Sequence, residues 1–169
     1  MRRLAAALLL LSLAPGVPAR AEEPAADTGS ALKLEVAKPV EITCETKSVV
    51  VKENAANATT GIVKLTLLLK DAASKPAKGA WRIASVDDRH TGSLGHREAK
   101  ACAEACPLSV AADGSIELWS PAPKGIDKLA DGEMLLLAVI KSKSLDLRAT
   151  TFSGKEIESL EEGTCRSGP

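Results

Sequence analysis

The 169-residue chain has no tyrosine, one phenylalanine and two tryptophans. Rings that stack on sugars or single-stranded bases, or that anchor protein hot spots, are therefore scarce, and any core must be aliphatic. Long apolar runs are also missing. The run from Leu4 to Leu13 falls short of the roughly 20 residues a membrane-spanning helix requires, and Met134 to Ile140 is the length of a strand. Neither sign of charge dominates, with 22 basic and 22 acidic residues interspersed, which argues against nucleic acid or an anionic membrane as a partner. Catalytic signatures are lacking too: there is no G-x-S-x-G, no H-E-x-x-H, no glycine-rich phosphate loop and no EF-hand.

What is present at the N-terminus speaks of export. Arg2 and Arg3 precede the apolar run, Pro15-Gly16 breaks it, and Ala19-Arg20-Ala21 has the A-x-A form of a cleavage site. Residues 1–21 read as a signal peptide, with ordinary unfolded export favoured over the twin-arginine route. No cysteine follows the run directly, so no lipid anchor is expected, and the product is soluble and periplasmic or secreted without a stable membrane anchor. Cleavage removes Arg2, Arg3 and Arg20, leaving 19 basic against 22 acidic residues, a net charge of about −3. Residues 22–31 (EEPAADTGSA) have nothing to bury and read as a flexible leader. Residues 32–169 are long enough for a single domain.

Within that domain the patterning is β. Leu32, Leu34, Val36, Val40, Ile42 and Cys44 alternate, with Pro39 marking an edge or bend. Ser48–Lys52, Ile62–Lys70, Ala80–Val86, Ser115–Ser120, Met134–Lys141, Leu145–Phe152 and Lys155–Leu160 follow as short strands. Asp113-Gly114 and Ser153-Gly154 supply turns, and one helical turn fits within residues 121–132. Asn57-Ala58-Thr59 matches a glycosylation sequon, a triplet that arises readily in loops of this composition. The expectation is a mainly β, single-domain antiparallel β-sandwich or small barrel with one short helix over about 97–106. That helix rests on the alanine-rich Arg97–Cys106, stopped by Pro107.

The unusual residues gather at positions 90–107, which hold His90, His96, Cys102 and Cys106. The spacing H-x5-H-x5-C-x3-C matches no zinc pattern, and C-x-x-x-C at a helix C-terminus, with Glu98 one turn before Cys102, is the reverse of a reactive redox pair. Four cysteines in an exported chain read instead as two disulfides, with three connectivities open. A local Cys102–Cys106 closure leaves Cys44 to pair with Cys165 and tie the two ends of the sheet together. The stretch is expected to be an exposed excursion with no metal and no cofactor. Asp87-Asp88-Arg89-His90 with Ser85 and Ser93 reads as a solvated turn, and Lys155–Glu162 as an exposed hairpin arm. Its Glu156, Glu158, Glu161 and Glu162 lack calcium-loop spacing.

The leader, the early Ile42-Thr43-Cys44-Glu45 and the closing Gly163-Thr164-Cys165 together resemble the layout of small periplasmic β-proteins of bacteria, including the membrane-bound C-type lysozyme inhibitors. The Ser- and Gly-containing loop followed by an aromatic that marks those inhibitors has no counterpart here, so the resemblance implies a fold and no residue roles. The functional expectation is a non-enzymatic binding or interaction protein, its partner an unidentified protein or small molecule. Strand edges, the loop carrying His90 and His96, and Trp119 are its contact candidates. Two alternatives stand beside it: a small-ligand carrier with a barrel cavity, and a metal-binding protein using His90, His96, Cys102 and Cys106.

Overall fold

The computed structural model describes residues 32–51, 59–87, 92–95, 102 and 105–168. The proposed signal peptide and leader, the Asn57 sequon, His90 and His96 lie outside them. Eight antiparallel strands follow one another around a closed barrel: β1 (Pro39–Val50), β2 (Thr59–Asp71), β3 (Ala77–Val86), β4 (Cys106–Val110), β5 (Ile116–Ser120), β6 (Met134–Ile140), β7 (Asp146–Ser153) and β8 (Glu156–Ser167). The mainly β expectation holds, and of its two architectures the chain adopts the barrel. β8 pairs back onto β1 from Ile42↔Ser167 to Val50↔Ser159, so the sheet has no first or last strand. Closure of this kind removes edges, and strand-edge recognition is therefore discarded as a contact mode.

Alternation decides which side chains fill the barrel. On β1 the even positions Ile42, Cys44, Thr46 and Ser48 are buried while Glu41, Glu45 and Lys47 are exposed. Val63, Leu65, Leu67, Leu108, Ile116, Leu118, Leu136, Ala138, Ile140, Leu147 and Ala149 complete the interior, with Trp81 the largest buried side chain. An eight-stranded barrel is just wide enough to be filled in this way. A satellite cluster lies on the outer wall, where Leu129 from the connection 121–133 covers Leu135 and Phe152 beside Trp119 and Leu137.

Several boundaries differ from those the sequence suggested. The two segments expected at 32–44 and 48–52 are one strand beginning at Pro39. Leu32 and Leu34 are a lead-in packed on the core, and Val36 is exposed. The expected helix over 97–106 is corrected at its end: Cys102 has 3-10 conformation, and Cys106 and Pro107 open β4 opposite Trp81 and Ala80. Burial of Cys106 and Leu108 against the core outweighs the local helix preference of alanine. Residues 97–101, 103 and 104 are not described. The helical turn expected within 121–132 is a 3-10 helix, Ile126–Lys128. The arm expected at Lys155–Glu162 is part of β8, paired on both sides, with Ser159 and Glu161 turned inward and buried.

Candidate functional site

The cysteines form two bridges. Cys44 and Cys165 stand directly opposite each other on β1 and β8, with Cα atoms 3.9 Å apart and a disulfide between them. Cys165 sends its N–H to Leu145 O at 2.9 Å, which ties this bridge to the connection between β6 and β7. Cys102 and Cys106 are joined with Cα atoms 5.2 Å apart, and Ser120 Oγ lies 3.7 Å from Cys106 Sγ. Sulfurs held in a disulfide are not thiolate ligands, so two of the four candidate metal ligands are committed elsewhere. Among the described residues no three His, Cys, Asp or Glu side chains form a cluster fit for a metal ion.

Trp119 points outward from β5 and is half-buried in the satellite cluster rather than presented to solvent. Its carbonyl accepts from Trp81 Nε1 at 3.0 Å. The two tryptophans are thus linked across the wall, one inside and one outside.

The described part of the 90–107 stretch is not the exposed excursion its composition suggests. Gly92–Gly95 form a turn, closed by Gly95 N–H to Gly92 O at 2.9 Å, and all four residues are buried. Leu94 is fully buried in the core cluster, and its N–H donates to Glu161 Oε2 at 2.7 Å. Ser93 Oγ lies 2.8 Å from Ser159 Oγ and donates toward Ser159 O at 3.1 Å and Ala149 O at 3.4 Å. Ser48 Oγ, on the same side of β1, lies 2.6 Å from Thr59 Oγ1. Ser93 therefore belongs to a buried polar network and not to a solvated turn. Pairing within it offsets a cost of about 1–3 kcal/mol for each buried polar group that would otherwise be unmet.

Sequence reasoning passed over Ser48 and Ser159 and read Ser93 and Glu161 as solvated, whereas all four are buried. A signal for three of them was available. If Cys44 and Cys165 face each other inside, alternation carries the inward side to Thr46 and Ser48 on β1 and to Gly163, Glu161 and Ser159 on β8.

The outer wall carries the accessible features. A depression of about 950 Å³ lies over β8, β1 and β2, lined by residues including Glu45, Lys47, Ile62, Asp87 and Arg166. A second, of about 730 Å³, extends over β6 and β7 past Lys141, Asp146 and Arg148. The two adjoin on β8, where Glu162, Gly163 and Thr164 line both. Gly163 sits where β1 approaches most closely: a Cβ there would lie 2.2 Å from Glu45 O. Arg166 pairs with Glu45 at 3.4 Å and Arg148 with Glu162 at 3.8 Å, all four side chains largely exposed. Exposed pairs of this kind are screened and contribute little to stability, which leaves them free to exchange partners.

The perturbed carboxyls lie on surface turns. Asp71 is lowered by the Ser74 hydroxyl and the Ala73 and Ser74 N–H groups, Asp113 by the N–H and hydroxyl of Ser115, and Glu133 by the Lys124 ammonium and the Ala130 N–H. Lowering favours the ionised form, whereas a general acid working near neutral pH needs the opposite shift. Compared with protein families, with curated proteins and with solved structures, the chain matches none, so its likeness in layout to small periplasmic β-proteins carries no residue role onto it.

Proposed function

We propose that the chain is an exported, disulfide-fastened, non-enzymatic binding protein that receives a polar segment of a partner in a trough centred on β8, where the two outer-wall depressions adjoin. The observation that carries this reading is the adjacency of the two depressions, both lined by Glu162, Gly163 and Thr164. Acidic and basic side chains both line it, Glu45, Asp87, Asp146 and Glu162 with Lys47, Lys141, Arg148 and Arg166, an arrangement suited to a segment of mixed charge and unsuited to nucleic acid. Export is supported by the N-terminal pattern and by two cross-links of a kind that persists in oxidising compartments. Among the described residues no helix is long and apolar enough to cross a membrane.

The test is site-specific photocrosslinking in the cells that make the protein. A photoreactive residue at Thr164, in the trough, is expected to give a discrete adduct that Arg148→Glu/Arg166→Glu abolishes. The same probe at Lys128, on the 3-10 helix away from the trough, is expected to give none. Equal labelling from both positions would remove the trough from consideration.

A further inference from the structure

Before β1 begins, the chain runs across one end of the barrel. Leu32 N–H donates to Ser142 O at 3.2 Å, on the connection between β6 and β7. Ala37 N–H donates to Leu69 O at 2.9 Å on β2, beside the parallel bridge of Val36 to Leu69. In the closed order β1 to β8, β2 and β6 are four strands apart, so the two attachments lie on opposite sides of the barrel. Leu32–Ala37, which extended reaches about 17 Å, is therefore a strap over the end where the connections 72–76, 111–115 and 141–145 turn. Leu32 and Leu34 are partly buried against the core cluster while Lys33, Glu35 and Val36 are exposed, the alternation of an extended segment laid over the barrel end.

The strap joins β1 through a tight reversal. Lys38 N–H donates to Glu35 O at 3.2 Å, the Lys38 ammonium pairs with the Glu35 carboxylate, and between them Ala37 adopts a left-handed φ of 63°. A residue with a Cβ is disfavoured in that region. Leu145, at φ 57°, is in the same region, but it is buried, its N–H donates to Lys141 O and its carbonyl accepts from Cys165 N–H. Ala37 is exposed, so the return of the strap imposes its conformation and packing does not. Pro39 follows at the start of β1 and biases Lys38 toward extended backbone. Opening the reversal would therefore relieve Ala37 and release Leu32 and Leu34 from the barrel end together.

We infer that the strap is exchanged between two copies of this chain, Leu32–Val36 of each crossing the barrel end of the other. A second copy is the occupant these contacts specify, because it restores the hydrogen bond to Ser142, the bridge to Leu69 and the positions of Leu32 and Leu34, all with the hinge extended. Relief at both hinges is set against the freedom lost when two chains join, so the exchanged pair grows with protein concentration. The inference does not rest on the outer trough, and its failure would leave the partner-binding proposal standing.

The lysines of the strap and of the turn provide the test. Lys33 follows Leu32, whose N–H is bound to Ser142 between Lys141 and Lys143, and all three lysines are exposed. Heavy-isotope and ordinary protein, mixed in equal amounts, held at high concentration and treated with an amine-reactive crosslinker, report which chain each strap crosses. In the dimer fraction from size exclusion, Lys33 is expected to be linked to Lys141 or Lys143 of the other isotope, and that fraction should rise with concentration. Ala37→Gly accepts a positive φ without cost, so it loses the relief at both hinges and should weaken the pair by about tenfold or more. Ala37→Pro, with φ fixed at about −65°, cannot make the reversal and should be dimeric with mixed-isotope links throughout. Same-isotope links alone in the unmodified protein at every concentration would overturn the inference. So would a monomeric Ala37→Pro whose Leu32 amide exchanges freely, since the strap would then merely detach, or a dimer undiminished in Leu32→Ser/Leu34→Ser, since its interface would lie elsewhere. Should Ala37→Pro not fold, the unmodified protein and Ala37→Gly decide.

Discussion

At one end of the barrel the connections 72–76, 111–115 and 141–145 are closed by groups that are neighbours in sequence. At the other, the closing contacts join residues 66 and 67 positions apart. Asp71 receives the N–H groups of Ala73 and Ser74 at 2.9 and 3.2 Å, Asp113 receives the N–H of Ser115 at 2.9 Å, and Ser144 binds Asp146 at 2.6 Å. These are side-chain-closed turns that form wherever such residues occur, with Gly114 taking the positive φ of 84° that its turn requires. The opposite end has three long connections beside the short turn at Gly154, and the segment Gly92–Gly95 of one of them folds inward. Local closure fixes each turn by itself, whereas closure by a folded-in segment depends on contacts far apart in the chain. Function in barrels concentrates at ends of the second kind.

Each end has its own disulfide, and removing them should separate the two most sharply. The Cys44–Cys165 bridge, tied to Leu145 at the turn end, spans 121 residues, and Cys102–Cys106 at the loop end spans 4. Chain entropy gives about 5 kcal/mol for the first and about 2 kcal/mol for the second. Cys44→Ser/Cys165→Ser is expected to show the larger loss in urea unfolding and Cys102→Ser/Cys106→Ser the smaller. Equal losses would mean that the short bridge holds more of the fold than its own loop.

The next effect is expected at Leu94. Leu94→Ala leaves a cavity under a polar mouth and should cost about 2–5 kcal/mol, a core-sized penalty for a residue of a connection. Amide exchange would show where the penalty falls. Protection is expected to drop first at Ser93, Leu94 and the inward residues of β8 around Ser159, with the hairpin turns at Asp71 and Asp113 unaffected. A uniform loss across all strands would show that the two ends do not open separately.

That asymmetry also explains what could be read in advance. The strands Met134–Ile140 and Asp146–Ser153, with the turn at Gly154, come within a residue or two of the segments their patterns suggest, because alternation and turn chemistry are local signals. β4 was hidden: five residues starting with Cys-Pro after an alanine-rich stretch carry a helix-stop signal, and only pairing with Trp81 and Leu118 makes them a strand. The length of β8 was hidden in the same way, since Glu156–Glu162 read as a charged arm until β1 pairs with it. Glu161 is the plainest case, for a buried glutamate is identified by what faces it, and Leu94, whose N–H it accepts, is in another part of the chain. Trp119 was singled out as a contact candidate, but it is half-buried beside Leu129, which comes from a connection with no pattern of its own.

The smallest expected effect sharpens the comparison from the turn end. Asp71 and Asp113 are held below the ordinary aspartate value by hydrogen bonds that exist only in the folded turns. A carboxyl lowered on folding stabilises the native state above its unfolded value of about 3.9, and that contribution is lost as pH falls through the lower native value. Glu133, on the connection 121–133 at the loop end, follows the same rule through Lys124 and Ala130. Asp71 and Asp113 are exposed and Glu133 is half-exposed, so each contribution is small and weakens with salt. Urea midpoints measured from pH 7 downward should therefore stay nearly flat to about pH 4 as far as these groups are concerned, then decline. Asp71→Asn/Asp113→Asn should lower the midpoint slightly at pH 7 and flatten the decline, and Glu133→Gln should remove a further part of it. A decline already complete between pH 7 and pH 5 would place the acid-sensitive groups elsewhere, and an unchanged profile in all three substitutions would show that the turns close without help from their charges.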